Sequence, residues 1–383
     1  MRLGFICTEK LPVPAVQGGA IQILIDGIAP LIAKRHKLTI FSITAPGLPA
    51  RETVGGIEYI RFPRTDYSYQ ITKYLRMHRK TPFDVIHVFN RPAKVYAYKQ
   101  AAPGTRFVLS LHNEMFNRKK ISLPEAKKCV DSIEKIMTVS KFIARTVSVR
   151  IREAKGKFKT VYSGAELNRY VPIWAGGERR SKIRAKLGLT NKKVIIFVGR
   201  LSKKKGVDIL IKGFKQVLAK HPNAVLLIVG SRWFGDNSID DYVQELYDIR
   251  RSIRDKVIFT NFVSPGKVPD YYLASDIFVC SSQWREPLAR VHYEAMAAGL
   301  PVITTDRGGN TEVIEDFYNG MVIYDYSNPA AFAKALGFIL DNPAKALEMG
   351  RRGRELVEKR FNFWRMAQEL ENVYEEARKN KRN

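Results

Sequence analysis

Cysteine is the scarcest residue of this chain: three in 383, Cys7, Cys129 and Cys280. They cannot all pair and their spacing fits no metal motif, which excludes a disulfide-stapled scaffold or a zinc module and implies a reducing, intracellular setting. Cys7 and Cys280 sit in apolar segments, where a free thiol acts as a small hydrophobe. Long hydrophobic runs are also lacking. Stretches such as Val194–Val198 and Ala224–Val229 fall far short of the roughly 20 residues that cross a bilayer, so no transmembrane helix is expected. Met1–Cys7 is a short alternating segment stopped by Glu9 and Lys10, without the apolar core or cleavage site of a signal peptide. It reads as a first strand of a chain made in the cytoplasm. Acidic residues are the third shortage: 37 Asp and Glu against 65 Lys and Arg leave a net charge of +28. No tract is low in complexity, and 45% hydrophobic with 27% charged residues is the composition of a folded globular protein.

What is present is a repeated alternation of short apolar runs with longer segments of helical period, the pattern of βαβ units and parallel sheets. The length exceeds what one core organises, and two domains are expected. The fold class is α/β, with two doubly wound parallel-sheet domains facing across a cleft. Strands are expected at Leu3–Cys7, Leu38–Ile43, Ile57–Phe62, Val85–Phe89, Phe107–Leu111 and Ile136–Val139, with Ser140 as a helix N-cap. The pattern restarts after a linker near Ser163–Ala175, with strands at Val194–Val198, Ala224–Val229, Val257–Thr260, Ile277–Cys280 and Val302–Thr304, and helices at Val207–Lys220, Ile239–Ser252 and Leu288–Ala298. The expected domains are 1–172 and 173–362, with a C-terminal helix over about 363–383 packing back on the first; Pro329, Pro343 and Phe361–Phe363 break the helical tail.

In open α/β sheets, ligands bind beyond the carboxyl ends of strands, where helix N-termini offer free backbone N–H groups. Four segments suit that position. Gly18-Gly19 follows the first strand and precedes a helical run, although a Gly pair there is often only a turn. The segment from Gly199 to Gly206 carries Arg200 and Lys205, charges suited to a diphosphate and equally at home in a solvated basic loop. Glu286 and Glu294 are eight residues apart; Pro287 suits the first turn of a helix, which would set both carboxylates along it. With 21 Glu in the chain, that spacing also arises by chance. Finally Arg307–Glu312, with Gly308 and Gly309, is either a backbone approach for a ligand or a tight turn.

Together and in order, these segments resemble the retaining glycosyltransferases of family 4, whose fold is the two-domain GT-B arrangement. The resemblance is strongest over Glu286-Pro287 and Glu294 to Val302, followed by Gly308-Gly309 and Glu312. Thr8–Pro14, His112–Phe116, Phe234–Asn237 and Cys280–Gly299 look like a spore-coat branch of that family. The resemblance implies that Arg200 and Lys205, with Leu288 and Ala289, bind the donor diphosphate and that Glu294 binds the ribose hydroxyls. Glu286 would sit beside the transferred sugar, His112 would reach that sugar from the other domain, and Gly19 would let the N-terminal loop approach the phosphates. Gly18, Ser140, Arg290, Gly308, Gly309 and Glu312 complete the candidates. The family commonly continues Glu-Pro-Phe-Gly; here Leu288-Ala289-Arg290 follow Pro287, narrowing the space beside the donor and adding a charge.

The expected function is therefore transfer of a hexosyl-type sugar, with retention, from a UDP- or GDP-linked donor. No Asp-x-Asp occurs, so neither a metal nor another cofactor is expected. The alternative is a non-catalytic spore-coat component that keeps the fold. Residues 1–175 hold 30 basic against 12 acidic residues, or +18, and residues 176–383 hold 35 against 25, or +10. The resemblance makes the more basic half the acceptor side, for an acceptor glycan, lipid or coat protein that carries acidic groups. Tyr67–Lys80 mixes apolar with basic residues, as would an ordinary surface helix or one resting on an anionic membrane or spore surface. No nucleic-acid-binding motif accompanies the charge, and no nucleic-acid partner is expected.

Overall fold

A computed structural model describes residues 1–233 and 235–379. Phe234, the first residue of the motif ending at Asn237, and residues 380–383 of the expected C-terminal helix lie outside the described residues. The chain divides into two compact units: Met1–Ser163 together with the helix Phe363–Lys379, and Gly164–Asn362. This places the division at Ser163, earlier than the Pro-containing stretch suggests. The backbone N–H of Ala165 donates to the Phe361 carbonyl at 2.9 Å, which ties the start of the second unit to its end.

The first unit is built on β1 (Arg2–Ile6), β2 (Lys37–Ile43), β3 (Arg51–Val54), β4 (Ile57–Phe62), β5 (Val85–Phe89), β6 (Arg106–Leu111), β7 (Lys135–Thr138) and β8 (Phe158–Thr160). Their order is β3-β4-β2-β1-β5-β6-β7-β8, with only β3 antiparallel. The central strands are buried along nearly their whole length because helices cover both faces, the requirement of a parallel sheet, and carry only isolated polar residues such as His87 and Ser110. β5, VIHVF, is buried at every position. β3, RETV, is exposed and charged, which suits an edge and hides it from apolar periodicity. Phe363–Lys379 lays Met366, Leu370 and Tyr374 into this core, and the Tyr374 hydroxyl meets His87 Nδ1 at 2.8 Å.

The second unit holds β9 (Lys193–Val198), β10 (Ala224–Val229), β11 (Val257–Phe259), β12 (Ile277–Cys280), β13 (Val302–Thr305) and β14 (Gly320–Ile323), all parallel, in the order β11-β10-β9-β12-β13-β14. This is the dinucleotide-fold order, and its direction reverses between β9 and β12. The tail breaks where its prolines and aromatics suggest: helices run over Pro329–Asp341, Pro343–Arg360 and Phe363–Lys379, with proline opening each of the first two.

Two local expectations need correction. The helix after β12 is Val291–Ala297, only seven residues, so Pro287 is not in its first turn and Glu286 does not stand at its entrance. Residues 281–290 are irregular because their polar groups are committed elsewhere, as described below. Helical spacing therefore does not place the two carboxylates. The helix Tyr67–Met77 spends most of its apolar face on the protein's own core: Tyr67, Ile71, Tyr74 and Leu75 are buried, and only Tyr69 and Met77 stand exposed among its large apolar residues.

Candidate functional site

In the second unit the point of strand reversal lies between β9 and β12, and the charged candidates follow those two strands. β9 runs into Gly199 and Arg200, then into a helical turn over Lys203–Lys205. The loop is stitched to its neighbours by the backbone: Leu201 N–H donates to the Ser231 carbonyl at 2.9 Å, and Gln283 N–H to the Lys204 carbonyl at 2.8 Å. β12 runs into Ser281–Glu286, and Ser281 Oγ donates to the Lys205 carbonyl at 2.8 Å. The two loops are thereby fixed against one another.

Glu286 is their focus. Its Oε2 accepts from Lys205 Nζ at 2.7 Å, Ser282 Oγ at 2.8 Å and Trp284 Nε1 at 2.7 Å. The residue is 6% exposed. Burial opposes its charge, yet the Lys205 ammonium and the three donors hold the carboxyl below its ordinary value. All three bonds go to one oxygen, which leaves Oε1 available to a ligand. Arg200 is half-buried, its guanidinium stacked over the Trp233 ring at 4.6 Å from the centroid. Burial pulls its pKa below the ordinary value against the opposing charge of Glu286. Among the described residues nothing accepts a hydrogen bond from that guanidinium. A half-buried cation without an acceptor is poorly compensated until an anion arrives.

Glu294 lies in the short helix with a separate set of partners. Tyr272 Oη donates to Oε2 at 3.2 Å, and Arg290 Nη2 reaches Oε1 at 3.4 Å. Arg290 also donates from Nη1 to the Gly164 carbonyl at 3.2 Å, so the charge expected beside the donor is directed at Glu294 and the chain's own backbone. Leu288 and Ala289 are buried, and Ala289 N–H points to Asn310 Oδ1 at 3.4 Å.

Gly308-Gly309 is a tight turn whose close approach is to the chain itself. Gly309 N–H donates to the Glu286 carbonyl at 2.8 Å, and a Cβ on Gly308 would lie 2.0 Å from that same oxygen. These glycines hold up the Glu286 segment from behind. Glu312 is half-buried in the helical turn Asn310–Glu312.

In the first unit, the reversal falls between β1 and β5. Gly18 and Gly19 follow β1 with φ of 89° and 100° and are both buried. The helix Ala20–Ala33 begins directly after them, with no side-chain cap and no acidic residue in its first turn. His112 follows β6: its N–H donates to Asn90 Oδ1 at 3.0 Å, Nε2 lies 3.2 Å from Ser110 Oγ, and its ring stacks on Phe89. Ser140 is buried and caps the helix Lys141–Ser148, its Oγ accepting from Ile143 N–H at 3.2 Å.

The structure thus brings Arg200, Lys205 and Glu286 into one electrostatic group, places Arg290 on Glu294, and gives Gly308, Gly309 and Ser140 supporting contacts. Sequence reasoning missed Ser282, Trp284, Tyr272, Trp233 and Asn90. Trp284 carried a signal, as one of only four tryptophans, two residues before Glu286; Tyr272 carried none, since it arrives from the helix Val268–Ala274.

Comparison with known proteins bears on the family and the fold. The family described as Glycosyl transferases group 1 matches residues 179–356, and Glycosyltransferase Family 4 matches residues 18–169. The chain is 46% identical over 380 residues to Spore coat protein SA of Bacillus subtilis, covering 99% of this chain and 100% of that one. It is 48% identical over 377 residues to YtcC of the same organism, a protein assigned as a glycosyltransferase, covering 98% of this chain and 92% of that one. Among solved structures, Anabaena Alr3699/HepE in complex with UDP superposes with a TM-score of 0.79 at 21% identity, covering 98% of this chain and 100% of that one.

Proposed function

The chain belongs to the family 4 glycosyltransferases, and from that membership we propose that it moves a hexose from a nucleoside-diphosphate sugar to an acceptor, with retention of anomeric configuration. The observation that carries this reading is the half-buried Arg200 guanidinium, without a hydrogen-bond acceptor, beside the Lys205–Glu286 pair at the strand reversal of the second domain. In the proposed mechanism Arg200 and Lys205 cancel the charge that develops on the departing diphosphate. Glu286 turns its uncommitted Oε1 to the sugar, and Glu294 receives the ribose hydroxyls while Tyr272 and Arg290 hold its two oxygens. In the first domain His112, fixed by Asn90, stays a candidate for the sugar, and the uncapped helix start after Gly18-Gly19 offers N–H groups of the kind that suit phosphate. Two half-buried cationic groups and backbone donors make a divalent cation unnecessary in this reading, and activity should survive a chelator.

UDP is the nucleotide we favour, because Alr3699/HepE, which shares the fold, was solved with UDP and with UDP-glucose. A thermal-shift screen against UDP, GDP and ADP, without metal and at moderate salt, tests the donor site. We expect a shift with one base only, abolished in Arg200→Ala. Glu294→Ala should weaken the same nucleotide about tenfold, the worth of charge-assisted hydrogen bonds to a ligand. A shift that persists unchanged in both variants would place the nucleotide elsewhere.

One observation favours a second reading. Arg290 engages Glu294 where a ribose would need it, and a spore-coat protein is 46% identical to this chain. A non-catalytic coat component that keeps the fold would give no shift with any nucleotide.

A further inference from the structure

The acceptor is the part of the reaction that the donor site leaves unnamed, and the loops of the first domain speak to it. Six basic residues stand in segments that follow the carboxyl ends of its strands: Lys10 after β1, Arg64 after β4, Lys94 after β5, Arg118 and Lys119 after β6, and Arg145 after β7. All six are exposed, and among the described residues none of them forms an ion pair. The acids that follow the same strand ends include Glu9, Asp66, Glu114 and Glu125, and Glu9 and Glu125 also face Lys10 and Lys94. Glu9 is held by Arg91 at 2.6 Å, Asp66 accepts from the Gln70 amide at 2.6 Å, and Glu125 is closed in a capping box with Ser122. At the opposite edge three cations beside strand starts are matched, Arg35 with Glu371, Arg106 with Glu134 and Lys135 with Glu376, while Lys37 and Arg51 form no ion pair among the described residues.

Cations in excess of the acids around them repel one another, and their joint field favours an anion spread over the same edge. The strands from β4 to β7 in the order β4-β2-β1-β5-β6-β7 span five intervals of about 4.8 Å each, or about 24 Å. A small acid touches one or two of these positions, whereas a chain of repeating charges reaches all of them.

We propose that the acceptor is a linear polyanionic glycan, bearing a carboxylate or phosphate on its repeating units, laid along the carboxyl edge of the first domain's sheet. This rests on the reading of that domain as the acceptor side. The test is binding to the full-length protein at physiological salt, without donor. The probes are an oligogalacturonate, its methyl ester as the neutral counterpart, a glycerol-phosphate oligomer, and single-stranded DNA of equal charge. At least one of the two acidic oligomers should bind and the ester should not. The double variant Arg118→Glu with Lys119→Glu should weaken that binding about tenfold or more. The double variant Arg76→Glu with Lys80→Glu, at the other edge, should not change it.

Binding of neither acidic oligomer, equal binding of the ester, equal loss in the two double variants, or equally tight binding of DNA each overturns the proposal. Because no donor is present, failure here leaves an Arg200-dependent nucleotide shift standing. Polymer binding without any nucleotide shift would instead remove the donor reading.

Discussion

Glu286→Gln should lower sugar transfer by about a hundredfold, the usual scale for one preorganised polar group acting on a transition state, while leaving nucleotide affinity nearly unchanged. Glutamine keeps the shape and one oxygen to receive Ser282 and Trp284, so the local fold should hold. What it removes is the negative charge that pairs with Lys205 and that the proposed mechanism turns to the sugar. Steady-state rates beside calorimetric UDP affinity read the two effects separately; equal losses in both would reassign Glu286 to nucleotide binding. The same substitution has a pH signature. In the wild type the folded carboxyl lies below its ordinary value, so its stabilising contribution is present above the unfolded carboxyl's pKa and is lost as pH falls through the lower folded value. The stability difference between wild type and Glu286→Gln should therefore be full at neutral pH and shrink on acidification. A difference that stayed constant with pH would show that the Lys205 pair contributes nothing.

The fold was legible where burial leaves a continuous apolar signature. Ala224–Val229 and Ile277–Cys280 read as strands because both faces are covered and no polar position interrupts them. β3 was not legible: an exposed antiparallel edge of sequence RETV has no apolar face to betray it. The candidate site shows the same division. Arg200 and Lys205 can be found from charge after a strand, but the sequence pattern carries the helix after Glu286 too far toward its N-terminus, to Leu288 where the structure begins it at Val291. Pro287 does suit a first helical turn, and local sequence cannot show that the Glu286 carbonyl is taken by Gly309 and its carboxylate by Lys205, Ser282 and Trp284. Long-range hydrogen bonds overrode the local preference. In the helix Tyr67–Met77 the mixture of apolar and basic residues was visible, while its division into a buried face and two exposed apolar residues needed the sheet beneath it.

Gly308→Ala should be among the most damaging single methyl groups in the second domain, and a matched control isolates the reason. Gly308 and Gly188 have nearly the same backbone, φ of 67° and 68°, so an alanine at either position bears the same left-handed strain, about 1 kcal/mol. Around Gly188 nothing lies within 4 Å of the added Cβ, whereas at Gly308 it would meet the oxygen of Glu286 at 2.0 Å and its nitrogen at 2.7 Å. Those are backbone atoms, so no side-chain rotation relieves the overlap; either the turn or the Glu286 segment must move. We expect Gly188→Ala to cost about 1 kcal/mol and Gly308→Ala about 3 kcal/mol or more, the range of strained backbone positions combined with a displaced hydrogen bond. For a domain of this size that corresponds to a Tm lower by roughly 6–12 °C. Any folded Gly308→Ala protein should also transfer sugar poorly, since moving Glu286 by even one ångström disturbs the Lys205 pair. Equal melting temperatures for the two variants would mean that the turn is free to shift, and that Glu286 owes its position to Lys205, Ser282 and Trp284 alone.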